Sequence, residues 1–123
     1  MQTRALGSTG LDVSRLGLGL AAIGRPGYIT LGRSRDLPGE RTPDVLYARC
    51  ADVLDAARAA GVRYVDVARS YGRAEEFLAR WLAERALAVD APTVGSKWGY
   101  RYTAGWEVDA AVHEQKELSR ARF

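Results

Sequence analysis

The sequence predicts an α/β fold with parallel strands, and three observations carry the prediction. Short apolar runs bounded by turn residues alternate with longer segments of helical periodicity. The connections between successive runs are long enough to hold a crossover helix. A polar, glycine-flanked loop near the amino terminus marks a hairpin that precedes the alternation.

The hairpin is expected over Arg4 to Arg15, with Ala5-Leu6 and Leu11-Asp12-Val13 on either side of Gly7-Ser8-Thr9-Gly10. Leu16-Gly17-Leu18-Gly19-Leu20 then reads as a strand buried on both faces. Gly24 to Arg41 is rich in Gly, Pro and Arg without apolar periodicity, which makes it a long loop, of a kind that in compact domains is usually functional or disordered. Thr42-Pro43-Asp44 starts a helix: Thr caps, Pro is preset for the first turn, and Asp faces the positive dipole end. Leu46, Cys50, Val53, Leu54 and Ala57 form its apolar stripe, and Gly61 is placed to end it in a left-handed turn. Val62 to Val67 is the second strand, Glu75 to Leu87 the second helix, and Thr93 to Lys97 the third strand. Beyond Lys97, Trp98 to Ala104 is turn-rich and Trp106 to Gln115 weakly patterned, while Ser119 could cap one further helical turn. Such an order implies right-handed crossovers in either an open doubly wound sheet or a (β/α)8 barrel, and periodicity alone does not choose.

Composition narrows the function. The chain has 123 residues, 47% hydrophobic and 27% charged, with formal charge +3, enough for one domain over residues 1 to 123 with a core of its own. No apolar run approaches the ~20 residues of a membrane span, and Met1 to Thr9 has no signal-type apolar stretch, so a cytoplasmic location is expected. Its 16 Arg and 2 Lys are interleaved with 15 acids, which argues against a nucleic-acid partner because phosphate tracking needs clustered charge. One cysteine, Cys50, and one histidine, His113, exclude an internal disulfide and a cysteine zinc site, and no metal is expected.

In both parallel architectures ligands bind beyond the carboxyl ends of the strands. Asp66 lies inside the apolar run Tyr64-Val65-Asp66-Val67, where an unpaired carboxylate would be costly. Lys97, leaving the neighbouring strand, is the candidate partner, and Tyr71 follows Asp66 by five residues. An ammonium beside a phenol stabilises the phenolate and eases proton transfer. Read singly, these could be a salt-bridging carboxylate, a rim tyrosine and a solvated lysine. Gly17-x-Gly19 followed by Gly24 is a poor fit to a dinucleotide-binding turn, because no helix begins where that turn needs one. Trp81, Phe77, Leu78 and Leu82 form a packing face, and Cys50 is expected to be buried and inert.

Three segments together resemble the aldo-keto reductases. Arg4 to Gly19, running RALGSTGLDVSRLGLG, is similar to that family's amino-terminal segment. Ala59 to Gly72, running AAGVRYVDVARSYG, with Glu75 and Leu78 beyond, resembles its Asp and Tyr motif, and Gly95-Ser96-Lys97-Trp98-Gly99 its Lys motif. Val67 replaces the threonine usual after the Asp. The resemblance implies a partial (β/α)8 TIM barrel with an amino-terminal β-hairpin, about three parallel strands and two helices. It implies NAD(P)H-dependent oxidoreductase chemistry, with NADPH the expected cofactor and NADH possible, on a small carbonyl or alcohol substrate. Tyr71 would be the general acid, Lys97 the cation assisting it, and Asp66 the partner of Lys97. Gly19, Leu20 and Ala21, with Asp66, would lie by the cofactor, and Trp98 and the Gly24 to Arg41 loop would border the substrate. The family's catalytic histidine has no counterpart, since His113 does not stand at a strand exit. A complete barrel needs about 250 residues. The chain is therefore expected to be an inactive amino-terminal fragment of an enzyme, the alternatives being a non-catalytic interaction subunit or a truncated reading frame. An unfinished barrel is also expected to expose a sheet edge that invites association.

Overall fold

A computed structural model describes residues 1–27, 39–87 and 90–122. Strands β1 (Thr3–Ala5) and β2 (Asp12–Ser14) pair antiparallel as the expected hairpin, turned by Gly7 and Gly10 at positive φ. Next come β3 (Leu18–Gly19), α1 (Pro43–Ala59), β4 (Tyr64–Asp66), α2 (Ala74–Glu84) and β5 (Thr93–Gly95). The central sheet runs β3-β4-β5, all parallel. Its register aligns Gly19 with Asp66 and Asp66 with Gly95, so the three strand exits end in one row.

Helix α1 begins as its sequence dictates. The Thr42 hydroxyl accepts the Val45 amide, Pro43 fills the first turn, and Asp44 faces the positive dipole end. Gly61, at φ 86°, closes the helix in the left-handed conformation. Leu46, Cys50 and Leu54 of α1 meet Phe77, Leu78 and Trp81 of α2 over Val65 and Val67. Edge-to-face contact between Tyr47 and Phe77, with centroids 5.7 Å apart, links the two helices further.

Several expected boundaries move. Each central strand is shorter than its apolar run, and Leu16, expected inside β3, is 65% exposed; of that run only Leu20 is fully buried. Helix α2 stops at Glu84 because Ala86 turns to φ 49° and Arg85 and Leu87 donate their amides back to Trp81 and Leu82. Ser119 caps no α-helix; only a single 3-10 turn over Arg120–Arg122 follows. The segment read as turn-rich and weakly patterned is an antiparallel hairpin of β6 (Tyr100–Tyr102) and β7 (Glu114–Lys116). Trp106, in the loop between them, packs against the core and Phe77 and donates its indole N–H to the Arg41 carbonyl. Three-residue strands of mixed polarity give no period-2 signal, which is why the pattern is silent there.

Among the described residues β5 forms an open sheet edge with Val94 44% exposed, and no helix is long and apolar enough to cross a membrane. Cys50 is fully buried, and burial pushes its thiol up to about 12. A thiol reagent at mildly alkaline pH should therefore leave the folded chain unlabelled and modify it fully in denaturant. Above the ordinary thiol range the unfolded chain ionises while the folded one does not, so Cys50 adds a loss of up to about 1.4 kcal/mol of stability per pH unit until its folded pKa is reached. Urea midpoints measured at rising alkaline pH should fall less steeply for Cys50→Ala; equal slopes would contradict this account.

Candidate active site

The site lies at the carboxyl end of the sheet. Parallel pairing of β4 and β5 carries Asp66 and Lys97 to adjacent exits, and the chain beyond stays paired: Val67 N–H donates to Gly95 O, and Arg69 N–H to Lys97 O. Lys97 Nζ stands 2.5 Å from Asp66 Oδ2 and donates also to the Val67 carbonyl at 2.8 Å. The same ammonium lies 4.9 Å from the centre of the Tyr71 ring. The structure thus brings Lys97 together with Asp66 and Tyr71, which stand five residues apart on the preceding strand and its exit loop.

With side chains 49% and 37% exposed, Lys97 and Asp66 form a pair that contributes little to stability. Burial disfavours the Lys97 charge, but the hydrogen bond and charge of Asp66, joined by Tyr71, outweigh it and raise its pKa. Lys97 therefore remains an ammonium at neutral pH.

Tyr71 is set by a close approach of two loops. The Arg73 amide donates to Gly24 O at 2.7 Å. A Cβ on Gly24 would stand 2.3 Å from Tyr71 O, and one on Gly72, at φ 61°, would stand 2.3 Å from Gly24 O. Only glycine at both positions lets the β3 exit loop lie against the β4 exit loop.

A cleft of about 370 Å³ opens beside these groups, lined by Tyr71, Lys97, Trp98, Tyr100, Ser70 and Glu114 among others. Trp98, 46% exposed, stands on its rim. Gly19 is exposed, and a Cβ there would meet nothing within 4 Å, which leaves open space next to Asp66. Ala21 is half-buried and gives its carbonyl to Arg25 Nε. Leu20 has a fully buried side chain, its amide donates to Asp66 O, and its carbonyl accepts from Ile23 and Gly24. It is a core residue that supports the site from below. Of the Gly24 to Arg41 loop, residues 28–38 lie outside the described residues; the Pro26 carbonyl accepts from Arg41.

Two charged residues of the site have no signature in the sequence. Arg25, 2% exposed, donates to Ala21 O, Ser70 O and Glu114 Oε2 at 3.2 to 3.3 Å, and its guanidinium lies 5.7 Å from the Tyr71 ring centre. Glu114 arrives on β7. His113, next to it, is half-buried within the hairpin, where its carbonyl accepts the Thr103 amide. Among the described residues no His, Cys, Asp and Glu side chains gather as a metal site.

The aldo/keto reductase family profile matches residues 15–121. No curated protein sequence matches significantly. Among solved structures, a crystal structure of a Pseudomonas aeruginosa protein described provisionally as an aldo-keto reductase is similar at 31% identity and TM-score 0.65, over 98% of this chain and 37% of that one. A second structure of a protein so described, from the same organism, is similar to the same degree and covered over 36% of its length. The chain thus spans about a third of the length of these relatives, and its hairpin, three parallel strands and two helices are the corresponding part of a (β/α)8 barrel. With that profile matched over most of its length, the chain belongs to the aldo/keto reductase family.

Proposed function

We propose that these residues serve an oxidoreductase that moves a hydride between a nicotinamide dinucleotide, NADPH by family resemblance, and a small carbonyl compound or alcohol. The observation that carries the reading is the array of Asp66, Lys97 and Tyr71 opening on one cleft. Tyr71 gives its phenolic proton to the substrate's carbonyl oxygen as negative charge develops there. The Lys97 ammonium stabilises the phenolate left behind, and Asp66 keeps that ammonium charged and aimed. Trp98 and Tyr100 supply aromatic surface that holds substrate at the rim.

The residues fit the nicotinamide end of such a cofactor. Gly19 is exposed, pairs with Asp66 in the sheet and has open space where a side chain would stand. When bound, the cofactor supplies the hydride. Gly19, the Leu20 and Ala21 backbone and Asp66 would lie beside its ring. Because the chain spans about a third of its relatives, the reaction is proposed for the complete barrel, acting in the cytoplasm, and not for these 123 residues alone.

The test is loss of reduced-cofactor absorbance with a broad aldehyde and ketone panel, run on the complete protein and on the 123-residue chain. The complete protein should turn over and the short chain should not, because the reacting atoms must be held within about 3.5 Å. Failure of the complete protein with every substrate and both NADPH and NADH would overturn the reading.

A further inference from the structure

We propose that Arg25 is a positioning residue for Tyr71, coupling the β6–β7 hairpin, through Glu114, to the proposed proton donor. The inference rests on reading Tyr71 as that donor. Its geometry stands independently.

An arginine is among the residues least often found buried, and a buried guanidinium costs several kcal/mol unless it is paired and hydrogen-bonded. Arg25 is buried at the point where three segments meet. Its donors take Ala21 O from the loop after β3, Ser70 O from the loop after β4, and Glu114 from β7. Serine carbonyl 70 is adjacent in sequence to Tyr71, so the bond to it fixes the backbone from which the phenol projects. The guanidinium also lies against the Tyr71 ring, at a distance where a cation is attracted to the π face.

Tyr71 thus has two cations near its ring, Lys97 at 4.9 Å and Arg25 at 5.7 Å, each tied to a carboxylate, Asp66 and Glu114 respectively. The Lys97 pair is half-open to water, whereas the Arg25 side chain is 3% exposed and that of Glu114 34%. Screening is weaker for buried charges, so a change at Glu114 reaches Tyr71 through Arg25 with little attenuation. The hairpin is held down separately by Trp106, which packs on the core and lies beneath the Arg73 guanidinium at 5.3 Å. Glu114 is therefore presented to Arg25 by an anchored element and lines the cleft from the wall formed by the hairpin.

The test is a pH titration of the Tyr71 Cζ resonance in the 123-residue chain, labelled at tyrosine and without cofactor. The signal is assigned by its disappearance in Tyr71→Phe, since Tyr102 also feels the Arg25 charge. Arg25→Met removes a cation and releases the Glu114 carboxylate, and should move the Tyr71 profile to higher pH. Arg25→Lys should restore most of that change. Glu114→Gln removes the anion that offsets Arg25 and should move the profile the other way, to lower pH. A purely structural role would loosen Tyr71 in both variants and move it in one direction. If Arg25→Met fails to unfold cooperatively in urea, Glu114→Gln decides alone: a shift to lower pH supports the coupling, and no shift or an upward one overturns it. Identical profiles in folded wild-type and Arg25→Met chains also overturn it. Because no cofactor or turnover is involved, failure of the proposed reaction leaves this result standing, and the converse holds as well.

Discussion

Replacing Trp81 by alanine is expected to cost about 3–5 kcal/mol of stability, a large share of the 5–15 kcal/mol that a domain of this kind commands. Trp81 is 1% exposed and is among the largest fully buried side chains. Its indole fills the space between α1 and the sheet, and its Nε1–H donates to Asp55 Oδ1 at 2.9 Å. Arg85 binds both oxygens of that carboxylate, and these bonds, Arg85 first and Trp81 second, hold the Asp55 carboxyl below its ordinary range. Stability from Asp55 is therefore present above the usual carboxylate pKa and is lost as pH falls through the depressed value. Trp81→Phe keeps most of the packing and loses the hydrogen bond, so it should cost much less than Trp81→Ala. Urea midpoints for the two variants read the difference. A Trp81→Ala midpoint within 1 kcal/mol of wild type, on the order of a single hydrogen bond, would mean that the helices do not close over the sheet as described.

How much of this was legible in the sequence depended on how local each cause was. The start and end of α1 could be read because Thr42, Pro43 and Gly61 act on their own backbone. The parallel order followed from strand-helix alternation, and the pairing of Asp66 with Lys97 followed from a costly carboxylate in an apolar run. Strand exits face two ways, and spacing does not say which: Gly19 opens outward, while the side chain of Leu20 turns into the core. The β6–β7 hairpin was invisible because Trp106, not strand periodicity, holds it, and that anchor depends on Phe77 and Arg41 from distant segments. Arg25 was hidden for the same reason. One arginine among 16 is marked as special only by burial, and its partners Ser70 and Glu114 come from distant segments.

In the complete protein, Tyr71→Phe is expected to lower carbonyl reduction by about 10²–10⁴-fold, the usual worth of a positioned proton donor. The substitution spares most of the site. Phenylalanine keeps the ring that Lys97 and Arg25 flank and keeps the backbone whose amide donates to Ala68 O, so the fold of the loop should survive. Gly19 and Asp66 are untouched, and cofactor affinity read by fluorescence titration should change by less than about twofold. What is lost is one O–H, and with it the group placed to neutralise charge on the substrate oxygen. A loss confined to the transition state lowers kcat and kcat/KM together and leaves KM near its original value, whereas a loss of binding would raise KM alone. Lys97→Met should produce a different pattern, because the phenol stays while the cation that stabilises its anion goes and Asp66 is left unpaired. Its rate of carbonyl reduction should stay depressed as pH rises, because ionising the phenol removes the proton to be donated, whereas alcohol oxidation, which uses the phenolate as base, should recover; Tyr71→Phe has no group to ionise and its residual rate should stay flat in both directions. A Tyr71→Phe enzyme with undiminished kcat would remove Tyr71 from proton transfer and pass that role to water or to another group lining the cleft.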